Sequence, residues 1–169
     1  LPHIDEAKVG VLGAVEERMS AALVAPAGAG KTTMLRMIRA ELPEARYCVR
    51  YVKVTSLGNR DMCREISAAC GMPPAGNYPA LVRKLQDHFE GCLETGGLRP
   101  VLLLDEAHDL RPETLAMLRI LTNFDMDSRL VLSVVLAGQP PLAKMLKRDE
   151  LQSLAGRIAH FATLRLLSR

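Results

Sequence analysis

The chain has 169 residues, enough for one α/β domain with a substantial core and too few for two. Apolar residues make up 49% but aromatics only 4%, with no Trp, so aliphatic side chains and Met must do the packing; the net charge of +3 permits a nucleic-acid partner without arguing for one. The longest apolar stretch, Leu130 to Gly138, is about half of what a membrane span needs, and no secretory signal opens the chain, so we expect a cytoplasmic domain without membrane contact, cut from a longer protein.

His3 to Met19 reads as a helix, with Ile4, Val11, Leu12 and Val15 on one face. Ala21 to Ala25 is a short apolar strand that runs into a Gly-rich turn, and a helix spans about Gly30 to Leu42 before Pro43 stops it. Arg46 to Thr55 is rich in Tyr and Val but interrupted by Arg50 and Lys53, which suits an edge strand. Asn59 can cap a helix that runs to Cys70, with Gly71 as its stop. Residues 73–77 form a loop, and Leu81, Leu85, Phe89, Cys92 and Leu93 mark a further amphipathic helix ending at Gly96-Gly97.

Pro100 to Leu104 is a continuous apolar run, as in a central strand buried on both faces. Pro112 and Glu113 open a helix, Leu130 to Ala137 is a second buried strand, and two short helical pieces precede a last strand near Phe161 to Leu166. The chain closes on an apolar segment ending Leu166-Leu167-Ser168-Arg169. Strands alternating with helices predict a parallel sheet covered on both sides. Cys48, Cys63, Cys70 and Cys92 show no metal-ligand spacing and read as buried thiols of a reducing compartment.

Ala25-Pro26-Ala27-Gly28-Ala29-Gly30-Lys31-Thr32 matches the phosphate-loop pattern G-x-x-x-x-G-K-[ST], with Ala in place of the first Gly. A turn between strand and helix points its backbone N–H groups inward, and small residues let them approach phosphate oxygens. The candidate ATP contacts are therefore Pro26, Ala27, Gly28, Ala29, Gly30, Lys31, Thr32 and Thr33. Lys31 would reach the β- and γ-phosphates, Thr32 would ligate magnesium, and Thr33 would touch the α-phosphate. Ala25 is compatible with this chemistry if its φ is negative. Otherwise the segment is a Gly-rich turn that happens to precede a lysine, which its place between strand and helix disfavours.

Val101-Leu102-Leu103-Leu104-Asp105-Glu106 is an apolar strand ending in two carboxylates. Ligands of open parallel sheets bind beyond the carboxyl ends of the strands, so both motifs belong to one rim. Asp105 is the candidate magnesium ligand, acting through a water, and Glu106 the group that activates an attacking water. Taken alone, the pair would equally suit a helix cap. Asp105-Glu106-Ala107-His108 also spells a helicase signature, but such helicases need two tandem domains, so His108 is placed at the rim.

The order of phosphate loop, Leu-Leu-Leu-Asp-Glu-Ala-His, Leu118 to Phe124 and Leu136-Ala137-Gly138-Gln139-Pro140-Pro141-Leu142 resembles AAA+ ATPases. Within these it is similar to the bacterial transposition helpers (TniB and MuB types) and the ExeA-type secretion ATPases, over nearly the whole chain. The resemblance implies a P-loop NTPase of α/β class: a three-layer α/β/α sandwich on a five-stranded, mainly parallel sheet, with the C-terminal helical lid of the family absent from this stretch. It implies that Gln139 senses the γ-phosphate, unless it is only a turn residue before Pro140-Pro141. Arg157 would be an arginine finger offered to a neighbouring subunit, unless it is an ordinary surface arginine. The catalytic set would then be Lys31, Glu106, Gln139 and Arg157, with Thr32 and Asp105 at the metal.

The function first expected is an ATPase that assembles as a homo-oligomer on double-stranded DNA and regulates a transposase. A secretion ATPase and a nucleotide-gated DNA scaffold with little turnover stand beside it, and a small-molecule kinase well behind. Arg60, Arg64, Lys144, Lys147 and Arg148 are candidate DNA contacts, or else solvated helix faces.

Overall fold

The computed structural model describes residues 2–124 and 129–166. Helix α1 (Pro2–Glu16) leads to strand β1 (Ser20–Val24), the Gly-rich turn and helix α2 (Lys31–Glu41). Strand β2 (Tyr47–Lys53), helices α3 (Asn59–Ala69) and α4 (Tyr78–Glu94) and strand β3 (Arg99–Asp105) follow. A 3₁₀ turn at Ala107–Asp109 precedes α5 (Pro112–Thr122), the short strands β4 (Asn123–Phe124) and β5 (Arg129–Leu130), and strand β6 (Ser133–Gly138). Helix α6 (Pro141–Met145), a second 3₁₀ turn at Asp149–Leu151, helix α7 (Gln152–Ala155) and strand β7 (Ile158–Thr163) complete the order.

Five strands form one sheet in the order β2-β3-β6-β1-β7, and all four pairings are parallel. Strands β4 and β5 make a separate antiparallel ribbon. Strand alternation divides the core into two layers. Ala21, Leu23, Val101, Leu103, Val135 and Ala137 pack on the side of α1 and α2. Ala22, Leu102, Leu104, Val134 and Leu136 pack on the side of α3, α4 and α5. The α/β/α sandwich is the one expected. The three leucines of β3 are buried on both faces, each worth about 1.5–3 kcal/mol relative to exposure, and this fixes β3 inside the sheet with its carboxylates at one end.

Strand β2 occupies an edge, as its interrupting charges predict. Three expectations shift. Asn59 is the first helical residue of α3 rather than its cap, and its Oδ1 accepts the Thr114 hydroxyl at 2.9 Å. The second buried strand begins at Ser133: Leu130 joins the ribbon, while Val131 and Leu132 are buried by packing alone. The last strand is Ile158–Thr163, starting three residues before the expected Phe161, because its register is set by pairing with β1 rather than by its weak alternation. The tail of the closing apolar segment, 167–169, lies outside the described residues.

Candidate functional site

The Gly-rich turn joins the carboxyl end of β1 to the start of α2. Gly28 and Gly30 have φ of 80° and 88°, a left-handed conformation that costs a glycine little and most residues more. These bends point the first N–H groups of α2 toward the rim, where an anion meets both the donors and the positive end of the helix dipole. Ala25 is not among the positive-φ residues, its N–H donates to the Gly138 carbonyl at 2.9 Å, and its methyl is buried in the α1/α2 layer. The departure from the phosphate-loop pattern is therefore tolerated by the backbone.

The acidic pair meets this loop directly. Alternation along β3 puts Val101, Leu103 and Asp105 on the face toward α2. Lys31 Nζ lies 2.6 Å from Glu106 Oε1 and 3.3 Å from Asp105 Oδ1. The Thr32 hydroxyl donates to Asp105 Oδ2 at 3.1 Å. Glu106 would face the opposite side if the strand continued. Instead it adopts φ 59° and ψ 35°, which ends the strand and swings its carboxylate back to the rim.

Asp105 is 2% exposed. Burial alone would raise its pKa; the Tyr51 phenol, the Lys31 charge and the Glu106 N–H outweigh burial and hold it below the ordinary carboxylate value. Tyr51 O–H donates to Asp105 Oδ2 at 2.8 Å. Burial first, then this hydrogen bond and the charges of Asp105 and Glu106, push the phenol up to about 12. Thr32 and Asp105 together offer two hard oxygen donors 3.1 Å apart, the class of ligand that magnesium takes, so the residues present fit that ion.

His108 is at the rim, as expected, but with specific partners. Its Nδ1 accepts the backbone N–H of Gln139 at 3.0 Å, which leaves the proton of a neutral ring on Nε2, 3.3 Å from Glu106 Oε2. The approach is possible because residue 138 is glycine: a Cβ there would lie 2.9 Å from His108 N and 3.2 Å from its Nδ1. A cavity of about 400 Å³ is lined by the phosphate loop (residues 26–28 and 30–33), Glu106 and Gln139, so the structure brings Gln139 to the same place.

Arg157 is not brought there. Its carbonyl accepts the N–H of Ser20, at the opposite end of β1 from the phosphate loop. The candidate DNA contacts are also dispersed. Arg60 and Arg64 donate from Nε to the carbonyls of Gly76 and Pro74 and so brace the loop before α4, while Arg148 lies 3.5 Å from Glu150. The four cysteines are free; Cys63 and Cys70 are buried, but Cys48 and Cys92 are only partly so, correcting the expectation for those two. No helix among the described residues is long and apolar enough to cross a membrane.

Sequence reasoning missed Tyr51. Its signal is visible only once β2 is placed beside β3, when alternation puts Tyr51 on the same face as Asp105, with Lys53 level with Asp105 and Tyr51 level with Leu103.

A strand–loop–helix cradle facing a strand-borne acidic pair on this parallel sheet defines the P-loop NTPase class of α/β proteins. Residues 15–146 match the family described as AAA domain, and the chain belongs to that family. General secretion pathway protein A of Aeromonas hydrophila is 37% identical over 138 residues, covering 80% of this chain and 25% of that protein. The chain thus spans about a quarter of this relative's length. Among solved structures, the Aeropyrum pernix ORC2 protein (ADPNP-ADP complexes) aligns with a TM-score of 0.67 at 14% identity, covering 96% of this chain and 46% of that one. Cdc6p from Pyrobaculum aerophilum aligns with a TM-score of 0.61 at 22% identity, covering 87% and 38%. At such identities the likeness speaks for the fold.

Proposed function

We propose that this domain binds ATP with magnesium and hydrolyses it to ADP and phosphate. The observation that carries the reading is the meeting of the two motifs: Lys31 Nζ is 2.6 Å from Glu106, and Thr32 Oγ1 is 3.1 Å from Asp105. Each residue has a distinct task. The backbone from Pro26 to Gly30 would cradle the phosphates, with Thr33 at the α-phosphate. Lys31 exchanges its carboxylate partners for the β- and γ-phosphate oxygens. Glu106, freed from Lys31 but still beside His108, orients a water and takes its proton as the oxygen attacks phosphorus and the bond to ADP breaks. Thr32 and Asp105 would hold a magnesium ion, whose charge would offset that of the phosphate oxygens. Gln139 would place the γ-phosphate and the water, and Arg157, remote from its own loop, would act on a neighbour's site. The adenine would take the groove of about 400 Å³ beside Gly28 and Thr33, walled by Ile4, Met34, Met37, Leu164 and Leu166.

For the biological role, the secretion reading now leads. The 37% identity to a general secretion pathway protein favours it over a transposase partner, reversing the order in which the sequence resemblance placed them. Assembly on double-stranded DNA belongs to the transposition reading, which DNA-stimulated, strongly salt-dependent hydrolysis would restore to first place.

The catalytic test is Glu106→Gln. Turnover should fall about 10²–10⁴-fold with nucleotide binding retained, as for loss of a positioned general base. Unchanged turnover removes Glu106 from the mechanism. Binding without turnover in the wild type leaves the scaffold reading.

A further inference from the structure

We infer that Tyr51 is a positioning residue for the metal site, holding the Asp105 carboxylate at the angle from which it serves magnesium. The inference rests on the ATP–magnesium reading above and adds a residue from outside both motifs.

The Asp105 carboxylate is saturated in an ordered way. Oδ1 accepts the Glu106 N–H at 2.9 Å and faces Lys31 Nζ at 3.3 Å. Oδ2 accepts the Thr32 hydroxyl at 3.1 Å and the Tyr51 hydroxyl at 2.8 Å. In the proposed function two of these four partners have other work: Lys31 turns to phosphate, and Thr32 uses its oxygen as a ligand. The Glu106 N–H is backbone and stays. Tyr51 is then the side chain left to fix Oδ2, and it needs no rearrangement to do so.

Its placement suits that task. Tyr51 is level with Leu103 rather than Asp105, so its ring leans along the strand direction to reach the carboxylate two residues ahead on the same face. It does so on the α2 side of the sheet, where Thr32, Leu35, Arg36, Arg39 and Leu103 wall a small cavity of about 160 Å³ around it. The ring is rigid, with two torsions, and is 36% exposed, so the interaction is built from an edge strand without filling the core. A partner that orients a ligating carboxylate is half of a metal site's design, and removing one typically lowers metal affinity about 10–100-fold.

The test uses Tyr51→Phe, which keeps the ring and deletes the hydroxyl. Binding of a fluorescent ATP analogue is titrated with and without magnesium chloride, and the metal concentration giving half of the magnesium-dependent gain in affinity is read for both proteins. The variant should need about ten-fold more magnesium, with metal-free nucleotide affinity unchanged and a single cooperative thermal transition retained. An unchanged magnesium midpoint, or an equal loss of affinity in the absence of metal, would overturn the positioning role while leaving the ATP reading intact. If the wild type shows no magnesium-dependent binding, the ATP–magnesium reading fails and this inference falls with it.

Discussion

Gly138 tests whether the site depends on the close approach of two strands' ends. In Gly138→Ala the new Cβ would sit 2.9 Å from the backbone N of His108, 3.1 Å from Leu142 Cδ2 and 3.2 Å from His108 Nδ1. The Leu142 side chain can rotate away, but the turn carrying His108 is backbone and must retreat. Ordinary contact begins near 3.4 Å, so a displacement of about 0.5 Å is needed. That motion loosens the 3.0 Å bond to the Gln139 N–H and the 3.3 Å approach to Glu106 together. Overpacking of this kind costs about 1–3 kcal/mol, and at about 2–4 °C per kcal/mol for a chain of this size the thermal midpoint should fall by several degrees. A reacting group misplaced by about 1 Å can lose about 10²-fold, so half that shift should lower kcat roughly ten-fold. Differential scanning fluorimetry and steady-state phosphate release measure the two effects. The control is Gly13→Ala in α1, where an added Cβ meets nothing within 4 Å, and which should be neutral or stabilised by up to about 1 kcal/mol. Wild-type melting and turnover in Gly138→Ala would refute the claim that this approach positions Glu106 and Gln139.

Two other outcomes follow from the site. Arg157→Ala and Glu106→Gln should each be inactive alone, yet partly restore phosphate release when mixed, because one contributes an intact water-activating site and the other an intact finger; mixtures no better than their components would return Arg157 to an ordinary surface role. Because Asp105 is held below the ordinary carboxylate value, its ionised form stabilises the fold fully above about pH 4 and loses that contribution as pH falls through the lowered value. Urea unfolding in metal-free buffer should therefore show the wild type's stability relative to Asp105→Asn declining below about pH 4 and flat above about pH 5.5, whereas a difference that grows on acidification would contradict the assigned direction.

The parts of this fold legible in sequence are those whose signal is local. The apolar run before Asp105, the small residues before Lys31 and the charges interrupting β2 each state their environment within a few residues, and the structure puts them at the sheet centre, the rim and the edge respectively. The errors arise where burial and hydrogen bonding part company. Val131 and Leu132 are as buried as strand residues but sit outside the ladder, so a continuous apolar run overstated β6. Strand β7 has only intermittent burial, and its limits come from pairing with β1, which no property of 158–166 reveals. The site follows the same rule. Lys31, Thr32, Asp105 and Glu106 are readable from two motifs, whereas Tyr51 and the contacts of His108 need the register of neighbouring strands.

The left-handed backbone at Glu106 carries a practical consequence for mutational work. A non-glycine residue held there stores about 1–3 kcal/mol that its neighbours must offset, and the Lys31 ammonium and the His108 ring are the groups gripping its carboxylate. Truncating Lys31 thus deletes a phosphate contact and also lets go of a sprung hinge, so a lost rate in that variant mixes two defects. Thermal midpoints of the Lys31 variant with and without Glu106→Gly, where the twist comes nearly free, isolate the strain, while nucleotide affinity reads the lost phosphate contact.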